Sequence, residues 1–352
     1  MYISVGLFLI FLKIFIYFKN YATLMKLLFK LSKENLNLSV TEVLRLLKPK
    51  HYMINSNYLF VTSRSKIFTR LGYTKSVYYV LGNFDLSDVC NLNFSSRIDW
   101  PNIIKGSFKI TVKNVKDNST KQLLIDKIYD DIASKLNKHN FLVKVNLKNP
   151  DTLIELLALD NKVYILKHLW QNNDNYNARK SHNRPMQHPT SLHPKLAKAC
   201  INLTGKVKGA VLDPFCGTGG ILIEAGLLGF EVIGYDIVDK MLNNAKINLE
   251  HYGISNYVLI KNDARHIKHN TTAIVTDVPY GKSSFIDTEL NKLLRDFLIS
   301  AYTHTSVMVL MLPDFVNLEA ILSSKCLKWK IINSFSYYLH KSLTKKIYIL
   351  EK

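Results

Sequence analysis

Thiols are scarce and scattered in this chain. Cys90, Cys200, Cys216 and Cys326 are its four cysteines, and no two of them form a CxxC pair. That spacing argues against a disulfide framework or a thiolate zinc site and suits a reducing cytoplasm. Among the eleven histidines no HExxH pattern occurs. His182, His188 and His193 cluster in a polar stretch without acidic or thiol partners, so no metal is expected there. Long hydrophobic runs are also lacking. Residues 3–17 are apolar but broken by Lys13, which is short of the about 20 residues a bilayer span needs. A basic start and a small-residue cleavage site, the marks of a signal peptide, are both missing.

Acidic side chains are few: 27 Asp+Glu face 47 Lys+Arg, a net charge of +20. Such an excess favours a polyanionic partner, with nucleic acid the natural candidate. Lysine added for solubility alone is the alternative, but solubility needs less. The excess is uneven. Residues 1–183 carry 27 basic and 13 acidic side chains, and residues 184–352 carry 20 and 14. The front half thus reads as an electrostatic grip and the back half as a reaction chamber.

At 352 residues, 47% of them apolar, the chain is long enough for two or three domains with sizeable cores. Residues 1–24 are rich in the Phe, Ile, Leu, Tyr and Lys of translated AT-rich DNA. Met25 is the expected start, with a membrane anchor or a helix packed on the fold as alternatives. Residues 27–31 read as a strand, the stretch from Ser39 as a capped helix, residues 58–62 as a strand, and residues 67–79 as containing a helix. This small α/β unit, 25–98, is expected to be ferredoxin-like, with Asp99-Trp-Pro-Asn marking the boundary after it. A second unit, 99–170, reads as strand (107–112), helix (120–138, with Leu123, Ile125, Ile128, Ile132 and Leu136 as its stripe), strand (141–146) and two more strands (153–157, 163–166). Asn-rich residues 171–183 read as a linker. Strands and helices then alternate from Ala210 onward, which predicts an α/β fold with a doubly wound, Rossmann-like parallel sheet over 184–352.

Residues 211–220 read Val-Leu-Asp-Pro-Phe-Cys-Gly-Thr-Gly-Gly. A buried strand ends at Asp213, glycines turn the chain, and a helix follows whose N-terminal N–H groups favour an anion. Position 222 is Leu, so G-x-G-x-x-G is not completed, and no P-loop pattern is present. The anion is phosphate in a nucleotide enzyme and a carboxylate in a methyltransferase. Asp213 can accept a hydrogen bond from an amino group on the ligand. Asp236 closes the next strand, 23 residues on, where a ribose-binding carboxylate belongs; a helix-capping Asp is the bland alternative.

Residues 276–281 read Thr-Asp-Val-Pro-Tyr-Gly. Pro279 biases Val278 to an extended backbone. The Val278 carbonyl and the Asp277 carboxylate can then face one exocyclic NH2. Tyr280 can stack on the base that carries it. Such a lone pair is delocalised into the ring, so two acceptors that position it and stabilise developing charge suit its chemistry.

These two motifs in this order resemble the S-adenosylmethionine-dependent methyltransferases that modify exocyclic amines of bases. Residues 107–112 and 145–151 resemble a THUMP domain, an RNA-binding module. With the openings at Leu31-Ser-Lys-Glu-Asn and Arg70-Leu-Gly-Tyr-Thr, the segment Arg184-Pro-Met-Gln-His-Pro and the closing His340-Lys-Ser-Leu-Thr-Lys-Lys, residues 25–352 resemble the archaeal tRNA (guanine-10-N2) methyltransferases. The resemblance implies that Asp213, Phe215, Gly217, Gly219, Asp236, Asp263 and Ala264 hold the cofactor, with Asp263 receiving the adenine amino group. It implies Asp277, Pro279 and Tyr280 as the catalytic motif, and Val278, Gly281, Arg184, His340 and Lys345 on the substrate side. Val278 stands where that family usually has proline, and Lys345 where it commonly has arginine, a change that weakens a bidentate contact.

The expected partner is tRNA, bound by a cytoplasmic monomer with no stable membrane association. A THUMP-like front half argues against DNA. The alternatives are the same chemistry on tRNA guanine 6 or on rRNA, and a disabled methyltransferase fold that only binds RNA.

Overall fold

The computed structural model describes residues 25–63, 65–89, 98–137, 144–189, 191–279, 286–323, 328–340 and 343–352. It contains two compact units. The first takes residues 25–30, Pro49–Lys66 and Lys75–Gln171. The second takes Leu31–Lys48, which carries helix α1 (Leu36–Leu47), then Ile67–Thr74 and Asn172–Lys352. Among the described residues no helix is long and apolar enough to cross a membrane.

The first unit is built on a seven-stranded sheet of β1 (Met25–Leu31), β2 (Tyr52–Asn55), β3 (Tyr58–Ser63), β4 (Thr74–Asp85), β5 (Phe108–Lys113), β6 (Thr152–Leu159) and β7 (Lys162–Gln171). Their order is β2-β3-β1-β4-β7-β6-β5. Two sequence expectations change here. Residues 67–79 hold only a 3-10 turn, Ile67–Arg70, before β4 begins, because the Val77, Tyr78 and Val80 run is claimed by pairing with β7. The expected boundary near 98 does not divide the sheet either: β4 lies before it, β7 after it, and the two are hydrogen-bonded neighbours. A single turn, α2 (Trp100–Ile103), follows that point, and Trp100 Nε1 donates to the buried Asp131 carboxylate at 2.6 Å. Asp131 sits on α3 (Asn118–Asn137), whose buried stripe is Leu124, Ile128, Ile132 and Leu136, so Leu124 takes the place expected for Leu123 and Ile125. The α3 crossover joins the parallel strands β5 and β6. The expected strand at 141–146 falls partly outside the described residues; Val145 forms a parallel bridge to Phe108.

The second unit carries β8 (Ala210–Asp213), β9 (Glu231–Asp236), β10 (Tyr257–Lys261), β11 (Ala273–Asp277), β12 (Val307–Pro313), β13 (Lys330–His340) and β14 (Leu343–Glu351) in the order β10-β9-β8-β11-β12-β14-β13. The first five are parallel; β14 runs antiparallel between β12 and β13. Consecutive residues such as Val211 and Leu212, Ile274 and Val275, or Val309 and Leu310 are all buried, because the sheet is covered on both faces. One core takes α4 (Pro194–Leu203) and α5 (Gly220–Leu227), with Leu249 of α6 (Asp239–His251). The other takes α7 (Ile286–His304) and α8 (Leu318–Leu322). This is the doubly wound Rossmann-like sheet. Its strand order reverses between β8 and β11, which places a ligand crevice beyond the carboxyl ends of those two strands.

Residues 171–183 are not a slack linker. They form 3-10 turns at Tyr176–Arg179 and Ser181–Asn183. Arg179 forks onto Glu224 of α5 at 2.7 and 3.1 Å and onto Asp174 at 2.8 and 3.0 Å. Segments far apart in sequence are tied by Glu42, which is fully buried on α1. It accepts from Gly72 N (2.7 Å), Tyr73 N (2.9 Å) and Asn202 Nδ2 (2.7 Å). Glu42→Ala strands three buried donors and is expected to cost about 2–4 kcal/mol in urea denaturation. A loss below about 1 kcal/mol would show that these donors find other partners.

Candidate active site

Asp213 closes β8 at 2% exposure. Its Oδ1 accepts from Phe215 N at 3.2 Å and from Thr276 Oγ1 at 2.6 Å. Thr276 belongs to β11, so this one bond couples the glycine turn to the strand that carries Asp277. Gly217 (φ +50°) and Gly219 (φ +82°) both need the left-handed region. A Cβ on Gly217 would enter open space, whereas one on Gly219 would press within 3.3 Å of Ala245. Asp236 holds the turn from the side, accepting from Gly217 N (3.0 Å) and Val238 N (2.9 Å). The Phe215 ring stands edge-on to Phe297 at 5.5 Å.

Asp263 follows β10 and takes a fork from Arg265, with Nε 3.0 Å from Oδ1 and Nη2 2.6 Å from Oδ2. A ligand amino group would share that carboxylate with Arg265. Ala264 beside it is buried.

At the end of β11, Asp277 is met by Lys345 of β14. The ammonium lies 2.5 Å from Oδ1 and also contacts Oδ2. The side chains are only 8% (Lys345) and 14% (Asp277) exposed. Lys345, expected on the substrate side, lies against the Asp277 carboxylate in the structure. The parallel pairing with β12 ends at Asp277, and Val278 N then donates to Met311 O at 3.2 Å. A proline here would lack that donor, so valine adds a backbone bond while its side chain fills the core at 1% exposure. Pro279 is exposed. Tyr280 and Gly281 lie outside the described residues. His340 ends β13 with its backbone opposite Leu343.

Arg184, also expected to touch substrate, is 2% exposed, and its guanidinium lies against Gly220 at the start of α5. Sequence reading missed Thr276, and it missed Asn248 of α6. Asn248 is fully buried, accepts from Met186 N (2.9 Å), and donates to the carbonyls of Met186 and Thr218 (2.9 Å each). Neither residue has a local signal, because a threonine in a strand and an asparagine in a helix are ordinary until their partners are seen.

Burial raises both central carboxylates. Asp213 is pushed up to about 7, by desolvation first and then by the nearby Asp277 and Asp236 charges, against the Thr276 and Phe215 hydrogen bonds. Asp277 is raised by desolvation and pulled back by the Lys345 charge and hydrogen bonds. The crevice therefore gathers acceptors on two adjoining strand ends beside a turn with room for a ligand.

Known proteins resemble this chain in sequence. A family model described as RMKL-like, methyltransferase domain, matches residues 181–345. A DNA methylase model matches residues 11–246, a span that stops short of Asp277. The tRNA (guanine(10)-N2)-dimethyltransferase of Methanothermobacter thermautotrophicus is 33% identical over 291 residues, 80% of this chain and 84% of that one. The protein of the same name from Pyrococcus abyssi is 34% identical over 314 residues, 84% and 90% of the two chains. The chain belongs to the tRNA (guanine(10)-N2)-dimethyltransferase family. Among solved structures, TrmN from Thermus thermophilus aligns with a TM-score of 0.47 at 18% identity, over 93% of this chain and 99% of that one.

As a member of this family the chain is an S-adenosylmethionine-dependent methyltransferase. Its residues fit that cofactor. Gly217 opens onto free space, and the Asp213 and Asp236 carboxyl groups are acceptors suited to an ammonium group and a ribose. The cofactor's amino end is cationic, and Asp213 is anionic only above about pH 7. Affinity for S-adenosylmethionine is thus expected to rise with pH, roughly ten-fold from about pH 6 to about pH 8. Calorimetry checks this, and Asp213→Asn should flatten the dependence.

Proposed function

We propose that this protein methylates the exocyclic N2 of guanine 10 in tRNA, once and then again. The observation that carries the reading is the Asp277 carboxylate at the end of β11, tied through Thr276 to the glycine turn. When bound, S-adenosylmethionine supplies an electrophilic methyl group. Asp277 and the Val278 carbonyl accept the two amino protons and hold N2 in line. Asp277 also balances the positive charge that grows on nitrogen, and then takes the proton that N2 must lose. A guanine inside a stem hides its N2, so the base is flipped out at a cost of a few kcal/mol. Tyr280 stacks on the flipped ring in this reading.

Lys345 keeps Asp277 in its accepting form until the amino group arrives. Removing that charge leaves burial unopposed, so Lys345→Met should lift the acidic limb of the kcat–pH profile. Lys345→Arg should restore it. An unmoved limb in Lys345→Met would assign the lysine a structural role only.

The basic front half, with its seven-stranded sheet, serves as the RNA grip, in keeping with a THUMP-like module. The protein works in the cytoplasm as a monomer on tRNA rather than DNA. Binding to tRNA should therefore weaken steeply with salt on a log–log plot, and a flat response would remove the electrostatic grip.

The direct test uses labelled S-adenosylmethionine and two tRNA transcripts, one with guanine 10 replaced. Labelled N2-methyl- and N2,N2-dimethylguanosine should form only on the unaltered transcript. Label that persists on the replaced transcript would move the target, with guanine 6 next. Asp277→Ala should abolish transfer while cofactor affinity stays within a few-fold.

A further inference from the structure

Among the described residues the two most exposed aromatic side chains are Tyr338 at 66% and Phe315 at 59%. Both lie at the end of the second sheet where Asp277 stands. β12 meets Asp277 at Met311, and Phe315 follows on the loop between β12 and α8. That loop is fixed to β14, because Asp314 N donates to the Thr344 carbonyl at 3.0 Å. Tyr338 of β13 pairs directly with Thr344. Asp314, Thr344 and Tyr338 thus form a row across the ends of β12, β14 and β13, and two strand spacings, about 10 Å, span it. Side chains alternate along a strand, so Thr344 and Lys346 face away from Lys345. An open cavity of about 530 Å³ on that side is lined by Asp314, Phe315, Val316, Asn317, Glu319 and Lys346.

The chemistry of this surface favours bases over phosphates. Asp314 and Glu319 are exposed acids, which repel a phosphate but accept from the amino and ring N–H groups of a base. Aromatic rings stack on bases of any sequence. Lys346, the cation of the lining, can meet the backbone that links two such bases. In a duplex the bases stack on one another and the phosphates face outward, so a paired stem gains little here. A strand with unpaired bases gains from each ring.

We infer that Phe315, Tyr338 and Lys346 form a second RNA site, which binds unpaired nucleobases beside the target guanine and holds the strand open while the target sits at Asp277. One strand crossing the ends of β12, β14 and β13 places its target in the crevice and its neighbours on the two rings. Stacking there offsets part of the cost of unpairing. This inference rests on reading the substrate as RNA.

The test measures binding of the full chain, by fluorescence anisotropy, to a labelled RNA oligonucleotide with the tRNA sequence around guanine 10, as a single strand and as a duplex with its complement. Phe315→Ala and Tyr338→Ala should each weaken the single strand by roughly five-fold or more, the loss of one stacked base, and leave the duplex unchanged. Both side chains are exposed, so alanine leaves the core intact. Tyr338→Phe keeps the ring and should bind as the wild type does. A wild type that binds only the duplex, single-strand binding unchanged in either alanine variant, equal weakening of both forms, or a loss in Tyr338→Phe equal to that in Tyr338→Ala would overturn the inference. Failure of the wild type to bind either RNA would instead overturn the RNA reading, and this inference with it.

Discussion

The Lys345 ammonium against both oxygens of Asp277 offsets a charge that burial would otherwise suppress. Much of the second unit follows from that need. A weak nucleophile such as a guanine amino group gains most from acceptors held in a water-poor crevice, where each hydrogen bond is stronger. The same dryness pushes a carboxylate towards its neutral form, which accepts poorly. An antiparallel strand inserted beside β12 resolves the conflict. β14 runs back along β12 with Lys345 opposite Pro313, and so returns a cation to the strand ends where the acid lies.

Among the described residues no such cation meets Asp213. Its charge rests on Thr276, the Phe215 amide and whatever the ligand brings. The two acids are thus tuned differently by one sheet. Asp277 has a cation against it that opposes the effect of burial, whereas Asp213 is held by the neutral donors Thr276 Oγ1 and Phe215 N. Thr276 joins them, because its neighbour in sequence is Asp277 and its hydroxyl donates to Asp213. Valine at 278 fits this frame without loss. It gives up the rigidity of a second proline, adds a bond to Met311, and leaves its carbonyl at the strand end.

The strands of the second unit and its glycine turn were legible because their signals are local: apolar runs of four or five residues, then Asp, then residues that only a turn accepts. The acids at 213, 236 and 277 could be placed by their positions at strand ends. What escaped depended on distant partners. Lys345 meets Asp277 across 68 residues, and in sequence it is one of many lysines. Arg184 lies in a polar stretch that gave no hint of burial. Residues 67–79 read as containing a helix, and only the pairing with β7 shows the run from Thr74 to be a strand. The segments around α1 and residues 67–74 read as part of the first unit, yet a buried glutamate binds them to Asn202 in the second.

The account stands on Asp277 being an anion in the free enzyme, and infrared difference spectroscopy reads that state directly. The spectrum of the wild type minus that of Asp277→Asn at neutral pH should show a carboxylate stretch assigned to this residue and no protonated carboxyl band. A protonated band would mean that burial wins over Lys345, and that the residue meets its substrate as an acid rather than as the acceptor the mechanism requires.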